Sequence, residues 1–377
     1  MEESGLSISA DSIRVTEVTE DGDALIFTIT SQKLNSDVGV CVCRTFEDFE
    51  WLQQSLFSQE DVPGLQGVIF PPLPGKPLSS PQSQAQAKAL KQLGFLALGD
   101  DWKSYCKALE IYLQQVANHS TLSKNKALES LLTNSEPPGK QRVHKGIFSR
   151  LSQAVGELRK ENHKDLDDFF QNERNNNLSM TQFSKTATEK FLEVVLSEQK
   201  LAVACGHLST SLHLCVNQEG SDAGNFSKIC MKLSEVIDAV KRNFEKVADN
   251  NLSTLGLGLD MEYRGQEAKK DMLFRRTCKL VELETAVKNA EKAKPNKKAI
   301  MEEVKKVVEK DFDQISSIAK EEIGCFNKCK VTLLRSSLVD WCEKQLHTAR
   351  EDHELFSRQL EACEQLCVTE STENRIE

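Results

Sequence analysis

Over most of its length the chain has almost nothing to interrupt a helix. It carries nine prolines, and only Pro295 falls between Lys140 and Glu377. That scarcity excludes a turn-rich architecture there and points to long helices. No apolar run approaches the ~20 residues that cross a bilayer, and the first residues, MEESGLSISAD, are acidic and have no apolar core. The expectation is a chain without a spanning helix or a secretory leader. Paired CxxC spacing is missing as well. The 12 cysteines stand singly or as Cys41-x-Cys43, Cys325-x3-Cys329 and Cys363-x3-Cys367. This excludes a zinc framework and fits reduced cytosolic thiols, with no metal or cofactor expected.

The signatures of catalysis are absent too. The seven histidines form no HExxH pair, and no GxSxG, GxxxxGK[ST] or strand-GxGxxG-helix unit occurs. Gly256-Leu257-Gly258 lies within a helical stretch with no strand before it, so it reads as a kink rather than a phosphate loop. The expectation is a chain that is not an enzyme. The formal net charge of −9 is concentrated in residues 1–135, which carry 10 basic against 17 acidic side chains. Neither part has the bulk charge of a nucleic-acid domain.

Residues 12–18, 24–30 and 38–43 are short β-branched runs separated by Asp21-Gly22-Asp23 and Asn35-Ser36-Asp37, a pattern that predicts a three-stranded meander. A helix follows from about Thr45, with Phe46, Phe49, Leu52 and Leu56 at helical spacing. The proline loop FPPLPGKP (70–77) comes next, then helical stretches near 83–97, 102–117 and 124–132. Pro137-Pro138-Gly139 signals a linker. Beyond it the pattern predicts three long helices, about 145–217, 223–293 and 297–367, broken near 217–224 and at Lys294-Pro295-Asn296. In the third, Ile300, Val304, Val307, Ile315, Ile318, Ile323 and Phe326 recur in steps of three and four, a coiled-coil-like seam.

The front unit resembles the PX domain, a phosphoinositide-binding module. The resemblance rests on Arg44, Phe46, Asp48, Phe49, Trp51 and Leu52, on Pro71, Pro72 and Pro74, and on Leu109, Glu110, Tyr112, Leu113, His119 and Leu122. In lipid-binding members an arginine directly precedes the first aromatic and grips the 3-phosphate; here that place is Thr45. A second family arginine lies about four residues before the Leu-Glu pair, where this chain has Tyr105. Lys76 matches a family phosphate contact. The candidate weak phosphoinositide ligands are therefore Arg44, Lys76, Lys103 and Lys107, with Arg44 equally readable as a structural residue at the strand end.

The rear segments DLDDFFQNE (165–173), 268–294 and 312–338 resemble the BAR domain of PX-BAR sorting nexins, closest to the branch of sorting nexins five, six and thirty-two. The resemblance implies an α+β PX domain (8–134), a linker (135–144) and an all-α BAR domain (142–368) built as an elongated, dimeric three-helix coiled coil. The branch carries a long helical insertion after the proline loop; here only Ser79–Leu98 is available to play that part. An amphipathic helix is expected at 145–158, with Ile147, Phe148, Leu151, Val155 and Leu158 on one stripe and Lys145 and Arg150 beside it. Lys292, Lys294, Lys297 and Lys298 bracket Pro295 as further basic membrane contacts. The direction of Arg275 and Arg276 is not given by sequence. The implied function is a peripheral endosomal adaptor that shapes membrane and sorts receptor cargo tails, paired with sorting nexins of the first and second type. The competing expectation is a soluble coiled-coil scaffold with a degenerate PX domain.

Overall fold

The computed structural model describes residues 8–22, 24–34, 39–59, 62–76, 102–137, 163–216 and 224–373. Strands β1 (Arg14–Asp21), β2 (Ala24–Gln32) and β3 (Gly39–Thr45) form one antiparallel meander in the order β1-β2-β3. Helix α1 (Phe46–Phe57) follows, then α2 (Lys103–Asn118) and α3 (Lys126–Thr133). Three long helical stretches complete the chain: α4 (Asp168–Val216), α5 (Gly224–Asn251) continuing as α6 (Leu257–Glu291), and α7 (Pro295–Glu373). The expected meander and helix order are observed. The helix predicted at 83–97, the linker and the amphipathic helix 145–158 fall outside the described residues.

Close contacts divide the chain into two units. The first comprises residues up to Thr186 together with Leu259–Leu333; the second comprises Ala187–Gly258 and Leu334–Glu377. The division thus does not fall between the front module and the long helices, because parts of α4, α6 and α7 belong to the first unit.

In the first unit, period-two alternation puts Val15, Leu25, Phe27, Ile29 and Val42 on the covered face of the sheet. Against it pack Phe49, Leu52 and Leu56 of α1 and Tyr105, Leu109, Tyr112 and Leu113 of α2, all fully buried. Phe27 meets Phe49 edge-on at 6.0 Å and stacks on Tyr105 at 5.6 Å. A second core joins the front module to the helices, made of Ile69, Phe170, Met272, Leu273, Ala319 and Ile323. Two glycines make that junction possible. Gly64 has φ +75°, and a Cβ at Gly67 would lie 2.4 Å from the Ile315 carbonyl oxygen. The backbone of residues 64–67 therefore lies directly on α7.

Hydrogen bonds lock the same junction. Arg275 donates to the Val68 carbonyl at 2.6 Å and stands over the Phe70 ring at 5.2 Å. The Glu322 carboxylate accepts from the Ile69 amide at 3.1 Å and lies 3.3 Å from His119 Nε2. Because His119 Nδ1 accepts from the amides of Thr121 and Leu122, the ring proton sits on Nε2, aimed at Glu322.

The first long helix starts later than its periodicity suggests. Residues 163–167 are not helical. Asp167 Oδ1 accepts from the Phe169 amide at 2.9 Å, and Asp165 Oδ1 accepts from the Asp167 amide at 3.1 Å. These short acidic side chains satisfy the open N–H groups of a new helix, so a continuous helix from 145 to 217 does not form.

The second unit has a different interior. Among its described residues the buried apolar side chains are Val195, Ala202, Cys230, Ala239, Ala248, Leu252 and Leu257, mostly small. Buried polar groups fill the rest. Asn251 Nδ2 donates to both Glu198 carboxylate oxygens at 3.0 and 2.8 Å, while its Oδ1 accepts from Trp341 Nε1 at 2.6 Å and Gln345 Nε2 at 2.7 Å. Asn250 donates to Thr348 at 2.9 Å, and Ser209 and Ser234 lie 3.0 Å apart. Next to this hub, residues Leu252–Gly256 form one π-helical turn. The break expected at Gly256 and Gly258 is this turn, and Gly258 lets the helix approach Ser337 so closely that a Cβ would lie 2.4 Å from its Oγ.

Candidate membrane interface

The front module places the four candidate phosphate ligands in very different surroundings. Arg44 pairs with Phe27 in the sheet register and so points inward, where its side chain is 0% exposed. Its Nε donates to the Leu131 carbonyl at 2.8 Å, Nη1 to Cys43 at 2.8 Å and Nη2 to Asn134 at 2.5 Å. The guanidinium ties β3 to the end of α3. Of the two readings of Arg44 the structural one matches this geometry; the phosphate-ligand reading is corrected, because the fork is closed off from solvent.

Thr45, where the family arginine would stand, begins α1. Its amide and hydroxyl both donate to Asp48 Oδ2, at 2.8 and 3.1 Å. The threonine thus serves the helix start, and a hydroxyl there cannot supply a charge-assisted fork. Tyr105, in place of the second arginine, is fully buried, and its hydroxyl donates to the Gly75 carbonyl at 2.8 Å. Burial pushes that phenol well above its ordinary pKa. An aromatic ring occupies the space a cation would need.

Lys76 is exposed but bonded to Glu47 at 2.6 Å. The pairing draws the Glu47 carboxyl below its usual range, chiefly through the Lys76 hydrogen bond, and raises the Lys76 ammonium through the same bond. Lys107 is likewise paired, with Glu110 at 2.6 Å, and Lys103 is exposed near the start of α2. No two of these cations share a bare cradle. A phosphate would have to displace Glu47 from Lys76.

The long helices offer a second basic surface. Helix α6 ends at Glu291 and α7 begins with Pro295, a residue suited to a first helical position because it lacks the N–H that would go unbonded there. Lys292, Lys294, Lys297 and Lys298 all stand exposed around this turn. Ile300, Val304 and Val307 follow them and are exposed, whereas Ile315 and Ile323 further along are buried. The seam read along α7 is therefore covered within the chain only in its later part.

Arg275 and Arg276, whose direction the sequence left open, both face inward. Arg276 bonds Asp165 at 2.5 Å and lies over the rings of Phe170 and Phe312 at 3.4 and 4.8 Å. Burial lowers the Arg275 guanidinium to about 10. Ile147, Phe148, Leu151, Val155, Leu158, Lys145 and Arg150 lie outside the described residues.

The seam residues named from sequence end at Phe326 and leave out the outward apolar rows of the second unit. On α4, Val194, Leu201 and Leu208 recur every seven residues and are 47%, 49% and 50% exposed. On α7, Val339, Leu346 and Leu360 fall on one heptad row and are equally open. The seven-residue step was legible; that it faces outward was not. Among the described residues no helix is long and apolar enough to cross a membrane.

Residues 33–135 match the PX domain family. The chain is 27% identical over 345 residues to sorting nexin-6 of Homo sapiens, covering 85% of this chain and 82% of that protein. It is 23% identical to sorting nexin-32 of Mus musculus, covering 93% and 92%. A cryo-EM structure of the SNX-BAR Mvp1 tetramer aligns at a TM-score of 0.47 with 15% identity, over 93% of this chain and all of that one. The front module is a PX domain. Over most of its length the chain is similar to sorting nexins 6 and 32.

Proposed function

We propose that this chain is a peripheral membrane adaptor of endosomes, a protein without catalysis of its own. Paired helical regions sense or generate curvature, and the adaptor sorts receptor cargo tails into retrograde tubules. The observation that carries the reading is the inverted second unit. Large apolar side chains at heptad spacing face outward around a small, polar interior, which is the surface of one half of an obligate helical assembly. Interfaces of that kind bury more than ~2,000 Å². Sorting nexins of the first and second type are the partners assigned.

Membrane attachment is read as the sum of weak contacts. The exposed lysines around Pro295 each contribute about 1 kcal/mol on an anionic leaflet, and pairing two chains multiplies them through effective concentration. The stripe of Ile147, Phe148, Leu151, Val155 and Leu158 adds interfacial insertion, with Lys145 and Arg150 at its edge. The PX cradle is assigned a minor lipid role, since Lys76 is neutralised by Glu47 and Arg44 is buried. The same closed cradle favours a second reading, a soluble coiled-coil scaffold that leaves membranes flat.

Liposome tubulation by the chain, alone and with a purified partner sorting nexin, separates the two. The adaptor reading expects tubules with the partner, and sedimentation with anionic liposomes reduced at least several-fold by Phe148→Asp with Leu151→Asp. Flat liposomes under every condition would support the scaffold.

A further inference from the structure

Within the first unit, α1 and the proline loop stand off from helix α6 to leave a half-open cavity of about 260 Å³. Its walls are aromatic: Phe57, Phe70 and Tyr263. Phe57 and Phe70 meet edge-on with centroids 4.5 Å apart, which fixes the wall they form. Two carboxylates, Glu267 and Asp271, line the α6 side. They are four residues apart and so share one helix face on successive turns.

The charges lining the cavity are unevenly engaged. Arg264 is held by Asp260 at 2.6 Å, and Arg275 is spent on the Val68 carbonyl. Neither Glu267 nor Asp271 takes a hydrogen bond from a described residue. Asp271 is exposed at the cavity rim; partial desolvation and the negative charge of Glu267 push its carboxyl upward, against the pull of Arg275. A cation placed between these two carboxylates would offset their mutual repulsion. Aromatic faces beside paired carboxylates fit a flat cation better than a compact one. A guanidinium stacks on a ring and bonds a carboxylate in a bidentate fork, whereas an ammonium does neither in a fixed plane.

We propose that this cavity is a docking site for an arginine side chain presented by an extended segment of a partner protein. The guanidinium bonds Glu267 and Asp271 and lies against Tyr263. Pro71 and Pro72 also line the cavity, and they offer an extended backbone no N–H groups to bond. The site is separate from the candidate lipid contacts and from the outward faces of the second unit, and it does not depend on either.

The chain has three tyrosines, and Tyr105 and Tyr112 are fully buried in the PX core. Full-length protein labelled with 3-fluorotyrosine therefore gives one fluorine resonance that reports the cavity, Tyr263. The probe is acetyl-Ala-Arg-Ala-amide, with its citrulline counterpart as control. The proposal expects the Tyr263 line alone to shift with the arginine peptide, saturating in the millimolar range. The citrulline peptide should have at least tenfold weaker effect, and Glu267→Gln with Asp271→Asn should remove the response without moving the Tyr105 and Tyr112 lines. No shift, or equal shifts with both peptides, overturns the proposal. An equal response to phosphocholine overturns it in favour of a quaternary ammonium headgroup. A Tyr263 line displaced, without any peptide, by Arg150→Gln overturns it in favour of the chain's own segment 145–158.

Discussion

The two units of this chain differ most in their interiors. The first centres on large side chains: Phe27, Phe49, Tyr105, Tyr112 and Phe170 are fully buried and Arg44 is enclosed with them, while Leu178, Phe183, Ile300 and Val307 on its helices stay exposed. The second hides small and polar ones and leaves Val194, Leu201, Leu208, Val339, Leu346 and Leu360 in the open. Burying each such side chain is worth about 1.5–3 kcal/mol, so the second unit carries its unused stabilisation on the outside. Its internal hub at Asn251 fixes how the three helices meet, since four hydrogen bonds to one amide tolerate little slippage. The difference separates two tasks. In the first unit the large side chains build the core; in the second they lie on an outer face that the proposed assembly would cover.

The sharpest way to break this contrast is to charge the outer face of the second unit. Leu201→Asp with Leu346→Asp is expected to weaken association at least about a thousandfold, ~4 kcal/mol. Sedimentation equilibrium measures it, and unchanged association would remove the assigned role from this face.

A smaller effect is expected inside the first unit. Arg44→Ala strands the carbonyls of Leu131, Cys43 and Asn134 in the interior and should cost about 3 kcal/mol of that unit's stability. Arg44→Lys should recover little of this, because an ammonium cannot reach three divergent acceptors. Thermal unfolding of both variants checks the expectation. Full stability of the alanine variant would return Arg44 to the list of residues kept for a ligand.

The smallest effect concerns pH and the second unit. Burial holds the Glu198 carboxyl above its ordinary pKa, partly offset by the Asn251 hydrogen bond. A raised carboxyl binds its proton more tightly in the folded than in the unfolded chain. Its charge therefore destabilises the fold above the folded pKa, and that cost fades as pH falls through the carboxylate range. Glu198→Gln is expected to raise the midpoint of the second unit at neutral pH by no more than about 2 °C and to flatten its pH slope between neutral and acid. Melting curves over that range would show a steeper slope instead if Glu198 served as a stabilising charge.

Much of this could be read from the residues. The β-branched runs and the turn residues between them gave the meander, the helical spacing of Phe46, Phe49, Leu52 and Leu56 gave α1, and the near-absence of proline gave the long helices, broken at Pro295. Other features depend on partners distant in the chain. Arg275 and Arg276 look like surface cations on a charged helix, but Val68 and Asp165 draw them inward. The contact of Gly64 and Gly67 with α7 spans about 250 residues and leaves no local periodicity. The start of α4 was written locally, in Asp165 and Asp167, but helical spacing on both sides of them masks it. Heptad steps in α4 and α7 tell which residues share a row, not whether that row is covered by the same chain or by another.

The central claim is that the second unit is half of an assembly. Sedimentation velocity of the purified full-length chain at micromolar concentration, alone and mixed with a purified PX-BAR sorting nexin of the first or second type, tests it most directly. The account predicts a species of twice the chain mass, or a one-to-one complex with the partner. A single well-behaved monomer that ignores every such partner would contradict it.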